Sequence, residues 1–241
     1  MRLVVCLPTY DERENIEPMV RMLGDVFARH GLDARVLVID DASPDGTGRI
    51  ADGLSAELGH VDVLHRPAKE GLGPAYVAGF RRALAEGAEL VLTMDCDFSH
   101  DPADVPRLVA AAEAADVALG SRYVAGGSVR HWGALRRVVS RAGCLYAQAL
   151  LGFGVRDSTS GFKCYRRAVL ETIALERISA LGYAFQIETV YRAVQAGFRV
   201  REVPIVFTDR AEGGSKMGPG IVAEAVVHVP ALRLAALRRR L

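Results

Sequence analysis

No uncharged stretch of this sequence reaches the roughly 20 residues that a membrane-spanning helix needs, so nothing in it reads as a bilayer-crossing segment. A charged leader with an apolar core is also missing, because the chain goes straight into an apolar strand. Cysteine pairing is absent as well. Cys6, Cys96, Cys144 and Cys164 form no CxxC pair and no zinc spacing, and read as reduced, packed side chains of a cytosolic protein, soluble or peripheral to a membrane. There is no internal repeat and no low-complexity linker, and 241 residues with 50% hydrophobic content can bury one full core, so a single domain over 1–241 is expected. The Gly-x-Gly-x-x-Gly turn of a dinucleotide-binding oxidoreductase does not follow the first strand. Its nearest counterpart, Gly71-Leu72-Gly73-Pro74-Ala75-Tyr76, lacks the third glycine and follows a later strand. Finally, acids are missing from Val117 to Arg156, where Arg122, Arg130, Arg136, Arg137, Arg141 and Arg156 stand, and again from Ala225 to Leu241, which ends in Arg238-Arg239-Arg240. The net charge of +1 hides these blocks, which suit anionic lipid headgroups, nucleic acid or phosphorylated substrates.

What is present is a regular alternation of apolar strands and helix-period segments. Strands are expected at Leu3 to Leu7, Arg35 to Ile39, Val61 to His65, Leu90 to Met94 and Val117 to Gly120. Between them lie helices at Ile16 to His30, Thr47 to Leu58, Gly73 to Ala88 and Asp104 to Ala114. This pattern predicts an α/β fold, a doubly wound, mostly parallel sheet with helices on both faces. After Gly120 come a turn at Gly126-Gly127, an arginine-bearing amphipathic segment from Trp132 to Leu151 and a short strand at Phe162 to Arg166. A helix at Phe185 to Ala196, a strand at Arg199 to Phe207 and a basic helical tail from Ile221, which Pro230 should kink or divide, complete the chain.

The polar motifs sit at carboxyl ends of strands, where ligands bind in such sheets. Asp95-Cys96-Asp97 closes the run from Glu89 to Met94. Carboxylates at i and i+2 on extended backbone point to one side, so one divalent ion can bridge both and hold a diphosphate, although the triplet alone also fits a solvated loop. Behind the first strand, Tyr10 can cover a base or ribose and Glu12 can accept from nucleoside donors; equally, they can simply open the helix at Ile16. Behind the second, Asp41 can accept from a base edge, whereas Ser43-Pro44-Asp45-Gly46 reads as turn and helix-start chemistry.

Three motifs in this order, Pro8-Thr9-Tyr10-Asp11-Glu12, Asp40-Asp41-Ala42-Ser43-Pro44-Asp45-Gly46 and Asp95-Cys96-Asp97-Phe98-Ser99-His100, resemble those of family 2 glycosyltransferases with the GT-A fold. Farther along, Gly120-Ser121-Arg122-Tyr123, the segment Ser160 to Arg166 and the segment Phe207 to Lys216 are similar to the dolichol-phosphate, or polyprenol-phosphate, mannosyltransferases. The resemblance spans nearly the whole chain. It implies a nucleotide-sugar half over 1–120, an acceptor half with a lid loop over 121–216 and a basic amphipathic tail over 217–241. It also implies GDP-mannose as donor and a polyprenyl (dolichyl-type) monophosphate as acceptor; guanine rather than uracil rests on the resemblance alone.

By the same resemblance, Pro8, Tyr10, Glu12, Ile39 and Asp41 would line the guanosine pocket. Asp95 and Asp97, with the Cys96 backbone between them, would carry Mg²⁺ or Mn²⁺ and the donor diphosphate. Ser99 stands where some relatives have Gln and would join the metal directly or through a water. Arg122, Arg210 and Lys216 match the family's basic positions, and neutralising phosphate as charge builds on the leaving nucleotide is their expected work, although a lone arginine is usually a solvated surface charge. Asp97, Arg122 and Arg210 would carry catalysis. Arg210 and Lys216 bracket Gly213-Gly214, which reads as a lid over bound phosphates. An acceptor phosphate is already anionic, so no catalytic base is named, and the analogy implies a single inverting displacement to a β-mannosyl phosphate.

The segment with Trp132, Leu135, Val138, Val139, Leu145 and Leu150 among Arg136, Arg137 and Arg141 fits a helix lying in a membrane interface or one packed on the domain's own core. A lipid substrate favours the first, as peripheral contact on the cytoplasmic face with an anchor from a separate chain. Gln186 and Glu188 could face the acceptor or sugar, or serve as helix-start residues. His100 is expected to cap or pack its loop. Two other functions remain open: a polyprenyl-phosphate hexosyltransferase using a UDP-sugar, and a non-catalytic membrane- or nucleic-acid-binding module, although the latter has no need of Asp95, Asp97, Arg122, Arg210 and Lys216 together.

Overall fold

A computed structural model of the chain describes residues 1–209 and 219–238. Its first half follows the apolar rhythm closely. β1 (Leu3–Thr9), α1 (Ile16–His30), β2 (Ala34–Asp40), α2 (Thr47–Glu57), β3 (Val61–His65), α3 (Leu72–Ala85), β4 (Leu90–Thr93), α4 (Val105–Ala114) and β5 (Val117–Ser121) succeed one another as alternating strands and helices. β1 is a near-continuous apolar run because it is covered on both faces, as central parallel strands are. α1 buries Ile16, Met19, Val20, Leu23, Val26 and Phe27 at helical spacing and stops where Gly31 turns left-handed. Two aliphatic layers result, one beneath α1, α2 and α4 and one beneath α3 on the opposite face.

The second half comprises β6 (Ser128–Arg130), α5 (Ala134–Leu151), β7 (Lys163–Arg166), α6 (Arg167–Thr172), α7 (Ala184–Gln195), β8 (Val200–Pro204), β9 (Val206–Thr208) and α8 (Pro219–Leu237). The main sheet has seven strands in the order β3-β2-β1-β4-β7-β5-β8. It is parallel except for β7, which runs against both β4 and β5. The sheet is thus mostly parallel, as expected, with β7 its antiparallel strand. Lys163 pairs with Thr93 and Leu119, at the end of the sheet where β5 leaves it, so the chain re-enters β7 from the end it left. The strand expected over Arg199 to Phe207 divides at Ile205. Its first part pairs with β5 and its second crosses to β6 in a separate two-stranded sheet.

α8 continues as one helix through Pro230 and is not divided there, as a helical proline could have done. Proline removes the N–H that would bond the Val226 carbonyl, and the Tyr146 hydroxyl on α5 donates to that carbonyl at 2.9 Å instead. Nor is α8 amphipathic as expected: Val229 and Leu232 are buried, while Val226, Val227, Leu234 and Leu237 are exposed, so apolar residues occupy several of its sides.

Candidate active site

The loops leaving β1, β2 and β4 each hold a non-glycine residue in the left-handed region: Asp11 at φ 56°, Ala42 at 56° and Phe98 at 58°. Such conformations cost on the order of 1–3 kcal/mol and persist where surrounding contacts impose them. At Asp11 the contacts are side chains that follow β2 bonding the backbone of the loop that follows β1. Ser43 Oγ accepts from the Asp11 N–H, Thr47 Oγ1 from the Glu12 N–H at 3.0 Å and Asp45 Oδ2 from the Arg13 N–H at 3.0 Å. Ser43 and Asp45 therefore do the turn and helix-start work expected of them.

A cavity of about 160 Å³ opens over these loops, lined by Pro8, Tyr10, Glu12, Asp41, Asp95, Cys96 and Asp97 together with Lys69. Of the expected nucleoside residues only Ile39 is elsewhere. Its side chain is fully buried with Cys6 beneath α3, because it points to the opposite sheet face, so it supports the pocket without lining it. Three residues went unnoticed in the sequence. Arg66 donates to Asp41 at 2.5 Å and also to Glu70, and the Lys69 ammonium sits 3.5 Å above the centre of the Tyr10 ring. They follow the carboxyl end of β3, the same signal that marked the other three loops. Burial raises the Asp41 carboxyl above its ordinary value, with the Arg66 charge working against the shift. Gly71 and Gly73 serve packing: a side chain at Gly73 would strike the Ala180 carbonyl at 2.1 Å, and one at Gly71 the Leu181 carbonyl at 2.7 Å.

Asp95 and Asp97 also line a second, smaller cavity, about 40 Å³, that continues past them toward Arg122, Trp132, Arg136 and Asp209. Arg122 is buried and held by Asp157, with Nε to Oδ2 at 2.8 Å and Nη2 to Oδ1 at 2.6 Å, while Nη2 also donates to Thr159 Oγ1 at 2.7 Å. Burial opposes ionisation of Asp157, but the Arg122 charge prevails and holds its carboxyl below the usual range. Arg122 is thus a cation fixed by a forked pair, not a mobile surface charge. Trp132 is a correction. It is buried, T-shaped against the Phe207 ring with the Arg136 guanidinium 4.4 Å over its own ring, and it lines this cavity instead of anchoring in a membrane interface. Arg136 in turn pairs with Asp209 at 2.7 Å. Arg210 and Lys216, with the glycines between them, lie outside the described residues.

Among the described residues, no three His, Cys, Asp or Glu side chains group to hold a metal ion. Asp95 and Asp97 nevertheless suit Mg²⁺ or Mn²⁺ chemically, since such ions take one or two carboxylates and fill their remaining positions with water and substrate phosphate oxygens. Ser99 lines the smaller cavity with this pair. Its hydroxyl and N–H both donate to Asp97 Oδ1, at 2.6 and 3.0 Å, which fixes that carboxylate's orientation. His100 packs its loop, stacking on Phe162 with ring centres 5.0 Å apart.

Gln186 and Glu188 turn inward. Gln186 accepts from the fully buried Lys163 Nζ through both its side-chain oxygen, at 2.6 Å, and its backbone carbonyl, at 2.8 Å, and burial drives that lysine's pKa far below its ordinary value. Glu188 accepts from Arg192 Nε at 2.8 Å and pairs with His228 at 2.8 Å, tying α7 to α8.

Residues 4–174 match the family model described as Glycosyl transferase family 2. An undecaprenyl-phosphate mannosyltransferase of Micrococcus luteus is 45% identical over 245 residues, covering 100% of this chain and 99% of that protein. A polyprenol monophosphomannose synthase of Mycolicibacterium smegmatis is 46% identical over 230 residues, with coverage of 95% and 85%. Glucosyl-3-phosphoglycerate synthase from Mycobacterium tuberculosis, crystallised with Mn²⁺, uridine diphosphate and glucosyl-3-phosphoglycerate, aligns at a TM-score of 0.63 with 20% identity over 99% of this chain and 79% of that one. At that identity the likeness shows the fold alone. By the family match over most of its length and by full-length identity to enzymes of this kind, the chain belongs to glycosyl transferase family 2 and is a glycosyltransferase.

Proposed function

We propose that the protein transfers mannose from GDP-mannose to a polyprenyl monophosphate, inverting the anomeric centre to give a polyprenyl phosphate β-mannose. The observation that carries this reading is the position of Asp95 and Asp97 where the two cavities meet, with nucleoside-type residues on one side and the fixed Arg122 on the other. The names of the two full-length relatives supply the sugar and the acceptor class. Asp41 suits guanine, whose N1–H and N2–H₂ edge presents donors to a carboxylate. Asp95 and Asp97 would hold Mg²⁺ or Mn²⁺, which when bound neutralises charge on the departing diphosphate. Arg122, with Arg210 and Lys216 as further cations, stabilises phosphate oxygens, and the acceptor phosphate attacks without a side-chain base. No described helix is long and apolar enough to cross a membrane. The exposure of Leu135, Val138, Val139, Leu145 and Leu150 on α5 supports peripheral contact with the bilayer that holds the acceptor.

Incubating the protein with radiolabelled GDP-mannose or UDP-glucose and polyprenyl phosphate, with and without chelator, tests this directly. Label should reach the lipid fraction from GDP-mannose only, and chelator should stop it. Preferential transfer from UDP-glucose would instead establish the hexosyltransferase, and chelator-resistant transfer would remove the metal.

A further inference from the structure

Gly71 and Leu72 line the nucleoside cavity, as does Tyr183 at the head of α7. Loop 179–182 lies against this wall. The Gly73 N–H, in the first turn of α3 where no intrahelical acceptor exists, donates to the Leu181 carbonyl at 3.0 Å. From its other side the loop is held by two carboxylates that take its four successive N–H groups in pairs. Glu188 Oε2 on α7 accepts from Ser179 at 3.3 Å and Ala180 at 3.2 Å, and Glu224 Oε1 on α8 accepts from Leu181 at 3.1 Å and Gly182 at 3.0 Å. We propose that Glu224 is a positioning residue for the donor nucleotide: through loop 179–182 it holds the Gly71–Leu72 wall and Tyr183 in place, so the nucleoside cavity is complete only while α8 is seated. The inference rests on the nucleotide-sugar reading for the identity of its ligand.

Three observations carry it. First, the bonds form one chain from α8 to the cavity wall, running from the Glu224 side chain to the Leu181 N–H and from the Leu181 carbonyl to the Gly73 N–H. Second, glycine stands at each point of close approach. A side chain at Gly182 would meet Glu224 Oε2 at 2.5 Å, one at Gly71 the Leu181 carbonyl at 2.7 Å and one at Gly73 the Ala180 carbonyl at 2.1 Å. Third, α8 is tied down elsewhere, by His228 on Glu188 and by the Tyr146 hydroxyl on the Val226 carbonyl, so Glu224 is not needed to hold the helix itself. Its bonds go to the loop. The site whose carboxylates the first half supplies is therefore finished by a residue of the second half, well beyond the stretch 4–174 that the family model matches.

Without the Glu224 side chain, Leu181 and Gly182 lose their acceptor, and nucleotide must order the wall as it binds. In calorimetric titration with Mn²⁺, Glu224→Ala should weaken GDP binding at least about tenfold, as when the binding-competent form falls to about a tenth. Glu224→Gln keeps an oxygen for both N–H groups and should stay within about threefold of the wild type. Val227→Ser, at an exposed position on the same helix, should bind as the wild type does. Gly73→Ala pushes on the same loop, so it should weaken GDP binding by itself yet add less than about threefold to Glu224→Ala. Undiminished affinity in Glu224→Ala, an equal loss in Glu224→Gln, or losses that multiply in the double variant would overturn the role. A second readout needs no nucleotide. By NMR, the Gly73 amide should exchange with solvent at least about tenfold faster in Glu224→Ala, while the Val5 amide of β1 is unchanged. A Gly73 amide that exchanges as in the wild type would also overturn it. A wild type that binds UDP in place of GDP, with the same ratios among the variants and the same amide behaviour, would uphold Glu224 and reject the guanine reading.

Discussion

From β1 to β5 the sheet is filled by aliphatic side chains, with Val5, Leu7, Val36, Val38 and Leu92 fully buried in one continuous layer. Beyond Ser121 the interior carries charge. Arg122 is locked to Asp157, and Glu188 to Arg192 and His228, all largely or wholly removed from water, while the buried Lys163 amine, its charge disfavoured by burial, donates to Gln186. The difference teaches how one chain divides its work. The first half is stabilised mainly by non-directional burial and keeps its buried Arg66–Asp41 pair at the strand ends, whereas the second half sets buried ion pairs within its interior and uses one of them to fix the Arg122 cation. Such pairs add little net stability when intact, yet removing one partner leaves a desolvated charge.

The sharpest way to break this comparison is to damage each half and vary pH. Asp157→Asn strands the Arg122 charge and should cost about 3–5 kcal/mol, while Leu7→Ala in β1 should cost about 2–5 kcal/mol through cavity formation. Only the first deficit should depend on pH. The Asp157 carboxyl is held below its ordinary value, so its contribution is fully present above the usual carboxylate range and is lost as pH falls through the lowered value. In urea titrations at neutral and acidic pH, the Asp157→Asn deficit should shrink with acid and that of Leu7→Ala should stay constant; parallel behaviour would erase the distinction. Smaller, and confined to the nucleotide side, is Arg66→Ala. Loss of a charge-assisted bond worth about 1.5–3 kcal/mol should raise the donor KM by roughly tenfold or more and leave the acceptor KM unchanged, as initial-rate kinetics would show. Smallest is Tyr146→Phe, which leaves the Val226 carbonyl without its substitute donor and should lower stability by about 1 kcal/mol in the same titrations.

The same contrast governs how far the sequence alone reaches. α1 and β3 match their expected bounds to the residue, because an apolar stripe ending at Gly31 and a short run ending at His65 are local signals. Pro8, Tyr10, Glu12, Asp41, Asp95 and Asp97 come together as expected, since strand ends in a parallel sheet converge. The direction of β7 was out of reach because periodicity carries no direction. Asp157, a single acid in a loop, shows no spacing that betrays its partner Arg122. Trp132 was misplaced for a related reason. Composition reads α5 as apolar residues among arginines, and only the fold shows that Arg136 covers the Trp132 ring while Leu135 and Val138 face outward.

The proposal that Asp95 and Asp97 join metal and nucleotide at the meeting point of the two cavities is tested most directly by calorimetric titration of GDP, with and without Mn²⁺, into the wild-type protein and Asp97→Asn. The variant keeps an oxygen for Ser99 and should melt as the wild type does. Mn²⁺ should tighten GDP binding at least about tenfold in the wild type, equivalent to about 1.4 kcal/mol, and have no effect in the variant. GDP affinity that is indifferent to Mn²⁺ in the wild type, or equally enhanced by it in Asp97→Asn, would contradict the assignment.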